Sequence, residues 1–186
     1  MHKEQLSLLV EEEHPAYEWA KNQSDSVSAF GHIGTHIDCY DSEPEEAKYE
    51  VEAEVLDCTV RMPLLSDISG SDFLGKALVL FTGNIERNIY GTPEYGAMVT
   101  SITADVLDCI LEKAPVFIVI DSYGIGSHGD EHIRFDKRCE SNGCFVIENV
   151  NLSQSVIGTI KKLQIEFDKS SKSTGKRCKV TAALAI

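Results

Sequence analysis

Three features of this 186-residue chain predict an α/β domain of mixed sheet layers with crossover helices. Between residues 77 and 148, short apolar runs alternate with helical patterns, the order that builds parallel strands joined by crossovers. Tyr49, Val51, Ala53 and Val55 alternate with Glu50, Glu52 and Glu54, a period of two that marks a strand with one wet face. Residues 163–168 and 177–186 read as a closing antiparallel pair, with Ser170 to Gly175 as the turn.

Taken in order, residues 1–22 have a helical pattern split by Pro15, with Glu11, Glu12 and Glu13 as a solvated face. Ser24 to Asp38 is rich in Ser, Gly, Ile and Thr and favours extended chain. After the Tyr49–Val55 strand, Cys58 to Met62 forms a second extended piece that stops at Pro63. Ala77 to Phe81 reads as a buried strand, wholly apolar. Ile102, Val106, Leu107, Ile110 and Leu111 make a helical face over 102–113, which Ser101 can cap. Val116 to Ile120 is a further buried strand, followed by a glycine-rich loop from Tyr123 to Gly129. A helix over 131–141 stops at Asn142-Gly143, and the strand Cys144 to Ile147 ends at Glu148.

A chain of this length fits one domain, residues 1–186, that buries roughly 70% of its unfolded surface. The formal net charge is −13. Such a field repels phosphate backbones and anionic membranes, so neither nucleic acid nor a membrane is expected as a partner, and a cation is. The six cysteines form no C-x-x-C pair and several sit in apolar runs. Reduced thiols and a cytoplasmic location are the expectation, and the acidic run at 11–13 disqualifies the start as a secretory leader. No apolar run approaches the ~20 residues of a membrane span.

The chemistry concentrates in Gly31-His-Ile-Gly-Thr-His-Ile-Asp38. As a strand, this segment puts the β-branched Ile33, Thr35 and Ile37 on one face and His32, Gly34, His36 and Asp38 on the other. Two imidazoles and a carboxylate around a residue without a side chain suit zinc, manganese or iron, with positions left for water. Glu148, at the end of an apolar strand, needs a partner. Asp136 lies in a charged helix, and His128 and His132 flank a loop whose Gly124, Gly126 and Gly129 let it fold over a site. No dinucleotide fingerprint, P-loop or Gly-x-Ser-x-Gly elbow is present.

On these residues the chain resembles the metal-dependent cyclase family, which includes bacterial kynurenine formamidases and isatin hydrolases. The family hallmark His-x-Gly-Thr-His-x-Asp-x-Pro-x-His is matched at His32, Gly34, Thr35, His36 and Asp38. Further echoes are Ala77 to Gly83, Val116 to Ser122, and Asn142-Gly143 with Phe145 to Asn149. The likeness runs from about residue 30 onward. Tyr40 replaces the family proline, Ser42 replaces its acid/base histidine, and Asp136 stands where the family has a histidine twelve residues before Glu148.

The resemblance implies a swivelling β/β/α-like domain and hydrolysis of a small amide, formamide or cyclic amide by water that a divalent Zn or Mn ion activates. His32, His36 and Asp38 would hold one ion, and Asp38, Asp136 and Glu148 a second. Ser42 occupies the family's acid/base position but has no useful pKa near neutrality, so His128, His132 or Glu148 would have to serve. A homodimer or homotetramer is also implied. The alternative is a divergent metal-binding member that acts as a ligand-binding or interaction protein.

Overall fold

The computed structural model describes residues 2–185. In chain order the elements are β1 (His2–Gln5), α1 (Pro15–Lys21), α2 (Ser26–Gly31), β2 (His36–Asp38), β3 (Lys48–Asp57), α3 (Leu65–Ile68), β4 (Ala77–Phe81), α4 (Asn84–Arg87), α5 (Pro93–Ala97), α6 (Ala104–Leu111), β5 (Phe117–Ile120), α7 (Asp130–Glu140), β6 (Phe145–Glu148), α8 (Gln154–Ile157), β7 (Ile160–Phe167) and β8 (Gly175–Leu184).

Their sheet runs β1-β8-β2-β6-β5-β4-β3-β7, and β7 also pairs with β8. Seven strands, β2 to β8, thus close into a mixed barrel with β1 as a flap. Over residues 77–148 the parallel part is as expected, with β4, β5 and β6 as parallel neighbours, and β3 adds a further parallel strand beside β4. The expected mixed sheet with crossover helices is present, and it also closes, because β8 is long enough to bridge β2 and β7 as well as to pair with β1. Gly175 to Arg177 pair with β2, and Cys178 to Leu184 pair with β7. That strand is the seam which turns an open sheet into a closed barrel.

The apolar runs now have a cause. In β4, β5 and β6, Val79, Phe81, Phe117, Val119 and Ile147 face the barrel interior. Leu78, Leu80, Ile118, Ile120 and Val146 lie instead under Val106, Leu107 and Ile110 of α6 and Phe135 and Cys139 of α7. Strands buried on both faces cannot alternate. In β3, by contrast, Tyr49, Val51, Ala53 and Val55 pack inward while the glutamates face solvent.

Several local expectations fail for identifiable reasons. Residues 2–5 are a strand, because β8 offers them a pairing edge. Pro15 starts α1 rather than splitting a helix, since a missing N–H costs nothing at that position. Within the stretch expected to be extended, Asp25 caps α2 by accepting from Ser28 N at 3.1 Å. Cys58 to Met62 is not a strand: Asp57 accepts from Thr59 N at 2.9 Å and from its hydroxyl at 2.6 Å, and so turns the chain. Thr103, not Ser101, is the N-cap of α6. All six cysteines are free thiols. Among the described residues, no helix is long and apolar enough to cross a membrane.

The end of α2 sits directly on the start of β8. A Cβ at Gly31 would overlap the carbonyl oxygen of Gly175 and the Ser173 side chain, and one at Gly175 would meet His32 Cγ at 2.7 Å. Gly31→Ala should therefore cost about 1–3 kcal/mol through overpacking. Urea unfolding checks this; an unchanged midpoint would mean that the close approach is not there.

Candidate metal centre

Two routes bring histidines to one point. His36 and Asp38 share a face of β2 by strand alternation, and His36 lies directly across from Glu148 at the end of β6. His32 arrives differently. It is the C-cap of α2, at φ −88° and ψ 7°, outside the strand. The expected single strand from His32 to Asp38 is thus corrected, although its three side chains still converge. Gly34 is no open place for an ion either. It takes φ +71°, and a Cβ there would meet Leu8 O at 2.7 Å. The opposite face is likewise split. Ile37 enters the barrel and Ile33 packs with Tyr17, Ala20 and Ala29, while the Thr35 hydroxyl donates to Asn149 O and accepts from Leu8 N, both at 2.6 Å.

The third contributor is α7. His132 and Asp136 are four residues apart and so share one helical face. His132 Nε2 lies 3.3 Å from Asp136 Oδ2 and 3.5 Å from Glu148 Oε1. On the other side, His32 Nδ1 is 3.1 Å from Asp38 Oδ1, and His36 Nε2 is 3.5 Å from both Asp38 Oδ1 and Glu148 Oε2. Two groups result, each with its donor atoms within 4.8 Å of one another: His32, His36 and Asp38, and Asp38, His132, Asp136 and Glu148. Asp38 belongs to both.

Two partners orient the first pair of rings. His36 Nδ1 lies 2.9 Å from Gly34 O, and His32 Nε2 lies 3.0 Å from Thr174 Oγ1. A proton on His36 Nδ1 leaves Nε2 with its lone pair toward the cluster, the tautomer a metal ligand needs. Gly124, at φ +120°, lets the glycine-rich loop pass close by, since a Cβ there would strike Glu148 Oε1 and the His132 ring.

Electrostatics test whether a cation fits. Asp38, Asp136 and Glu148 are 1%, 1% and 3% exposed. Both oxygens of Asp38, both of Asp136 and Oε1 of Glu148 are buried without a hydrogen bond. Unpaired buried carboxylates are too costly to leave ionised. Burial, and then the Asp38 charge, push Asp136 and Glu148 well above the usual carboxylate range. Asp38 itself is held low, because the His36 and His32 charges outweigh its burial. Burial opposes a charge on His36, yet Asp38 raises it; burial lowers His132. The orphaned oxygens, with His32 Nδ1 and His36 Nε2 only 3.0 Å apart beside them, fit divalent ions. Two imidazoles and one carboxylate suit zinc or manganese, whereas three carboxylates and one imidazole suit a harder ion such as Mn²⁺.

The cluster floors a cleft of 690 Å³ whose walls include Trp19, Tyr40, Tyr90, Tyr95, Tyr123 and His128. His128 is exposed and stacks on Tyr123 at 4.0 Å, with Nε2 3.1 Å from Gly96 O. Ser42 is exposed and does not line the cleft; its N–H donates to Glu140 at 2.9 Å. The structure thus gathers His32, His36, Asp38, Asp136, Glu148 and His132, sets His128 in the wall, and leaves Ser42 outside. His132, expected as a substitute acid/base, sits among the acids instead. Its spacing of four from Asp136 was the available signal. Asn149 closes the Phe145 to Asn149 echo. Here it is buried at φ +55°, bonded through Nδ2 to Gly34 O at 3.1 Å and through Oδ1 to the Tyr95 hydroxyl.

No protein-family model matches the chain, and no curated protein sequence does. Solved structures do. A potential metal-dependent hydrolase with cyclase activity superposes with a TM-score of 0.67 at 16% identity, covering 99% of both chains. A predicted metal-dependent hydrolase of Bacillus stearothermophilus gives 0.65 at 16% identity, over 97% of both chains. Isatin hydrolase A of Labrenzia aggregata gives 0.63 at 14% identity, over 84% of this chain and 74% of its own. The barrel has the fold of these proteins.

The shifts carry a pH signature. Groups held high in the folded state, Asp136, Glu148 and His36, keep protons that the unfolded chain has lost, so metal-free stability falls as pH rises. For the acids the loss begins above about pH 4 and for His36 above about 6.5. His132 works in the opposite direction only below about 6.5. The melting temperature of chelator-treated protein should therefore drop from about pH 6.5 to 8.5, and Mn²⁺ should restore more at the upper end. A metal-free melting temperature that rises over this window would contradict the cluster's electrostatics.

Proposed function

We propose that the chain is a divergent metal-dependent cyclase-family hydrolase that opens a small amide, formamide or cyclic amide with water. One observation carries the reading: three buried carboxylates with orphaned oxygens meet three imidazoles at the floor of an aromatic-walled cleft. The fold likeness to an isatin hydrolase and to metal-dependent hydrolases supports it. We assign His32, His36 and Asp38 to one divalent ion, and Asp38, His132, Asp136 and Glu148 to a second.

A bound divalent ion supplies Lewis acidity, which makes water more acidic and polarises a carbonyl. The protein's own groups do the rest. Gly34 O and Thr174 hold the two imidazoles in one orientation. The tyrosines around the cleft offer aromatic faces against which a flat ring can pack. Hydrolysis forms a C–O bond, breaks the C–N bond and needs a proton on the leaving nitrogen. Once His132 is assigned to the cluster, His128 is the cleft imidazole left for that transfer.

Formanilides, isatin and other cyclic amides, assayed with Zn²⁺ and with Mn²⁺, form the test set. Turnover should require added metal, and His128→Gln should lower kcat by about 10²–10⁴-fold, the range for a positioned acid. His36→Ala should remove the ion held by His32, His36 and Asp38 and so lower the bound metal by one ion per chain. Metal uptake without turnover of any compound would favour the second reading, a metal-dependent ligand-binding protein, to which the exposure of Ser42 lends weight.

A further inference from the structure

The last residue of α7, Glu140, has a role that the metal cluster does not use. Its side chain projects from the same helical face as His132 and Asp136, one further turn along. It is 6% exposed. Both of its oxygens are taken by the loop that leaves β2 directly after Asp38. Tyr40 N donates to Oε1 at 2.5 Å, and Asp41 N and Ser42 N donate to Oε2 at 2.8 and 2.9 Å. A carboxylate in the last turn of a helix faces the negative end of the dipole and is disfavoured there. Three consecutive N–H groups aimed at one carboxylate supply the compensation. A second tie from the same helix joins Lys137 Nζ to Asp41 Oδ1 at 2.8 Å.

This grip has a consequence in the cleft. Tyr40 is the first residue held by it. The Tyr40 ring lines the cleft 6.1 Å from the His32 ring, and its hydroxyl makes no hydrogen bond among the described residues. We propose that Glu140 is a positioning residue that locks residues 40–42 onto α7 and so holds the Tyr40 ring as a wall over the metal cluster, its hydroxyl presented to a bound ligand. The presentation to substrate rests on the hydrolase reading; the ordering of Tyr40 by Glu140 does not.

Protein labelled with 3-fluorotyrosine separates the two. The chain has six tyrosines, and Tyr40→Phe assigns the Tyr40 line in the fluorine spectrum. In Glu140→Gln that line should move toward its unfolded position or broaden, while the Tyr49 and Tyr123 lines hold. If the amide variant does not fold, Glu140→Asp, which keeps the charge but shortens the reach, is read the same way. An unmoved Tyr40 line in either folded variant overturns the proposal, whatever the activity. With a substrate in hand, Glu140→Gln and Tyr40→Phe should each raise KM roughly tenfold, about one hydrogen bond's worth. The double variant should then be no worse than the poorer single one, because the two act through one contact. Additive effects on KM would overturn the coupling.

Discussion

Mutual repulsion among Asp38, Asp136 and Glu148 is the constraint around which this molecule is arranged. Three carboxylates brought together out of water cannot all stay ionised without positive charge among them. Both oxygens of Asp38 and Asp136 and Oε1 of Glu148 lack hydrogen bonds, although the fold satisfies nearby polar groups: Thr35, Asn149 and Glu140 all have partners. The gap in satisfaction falls where imidazole nitrogens also converge. The arrangement makes these residues a candidate cation site.

The barrel explains how the groups reach one point. Closure through β8 brings Gly175 under the end of α2, which seats His32 beside β2. Antiparallel pairing of β2 with β6 sets His36 across from Glu148. The crossover helix α7 between β5 and β6 then lays His132, Asp136 and Glu140 along one face. Two of these three enter the cluster and the third fastens the loop beyond Asp38. The Gly124 backbone passes where any side chain would collide with Glu148 or His132. Cluster and cleft wall therefore depend on the same helix.

Patterning carried much of this into the one-dimensional text. Runs 77–81, 116–120 and 144–147 were readable as buried strands because hydrophobicity unbroken by alternation means burial on both faces. Residues 49–55 were readable as a strand with a wet side for the complementary reason. His32, His36 and Asp38 stood out by their close spacing, and Glu148 by its place after an apolar strand. Helix α2, the flap β1 and the true end of β3 were not readable. Each depends on a single side-chain cap or on a distant pairing edge, and local composition does not report either.

Short-range periodicity thus determined which segments form the parallel core and that His36 and Asp38 share one face, since both follow from geometry within a few residues. Tertiary structure alone decided that the sheet closes, that His32 comes from a helix end, that His132 joins the acids while Ser42 does not, and that Glu140 grips the loop after β2. Sheet closure and the Glu140 grip rest on contacts between residues roughly a hundred or more positions apart, where chain closure and not local propensity selects the partners.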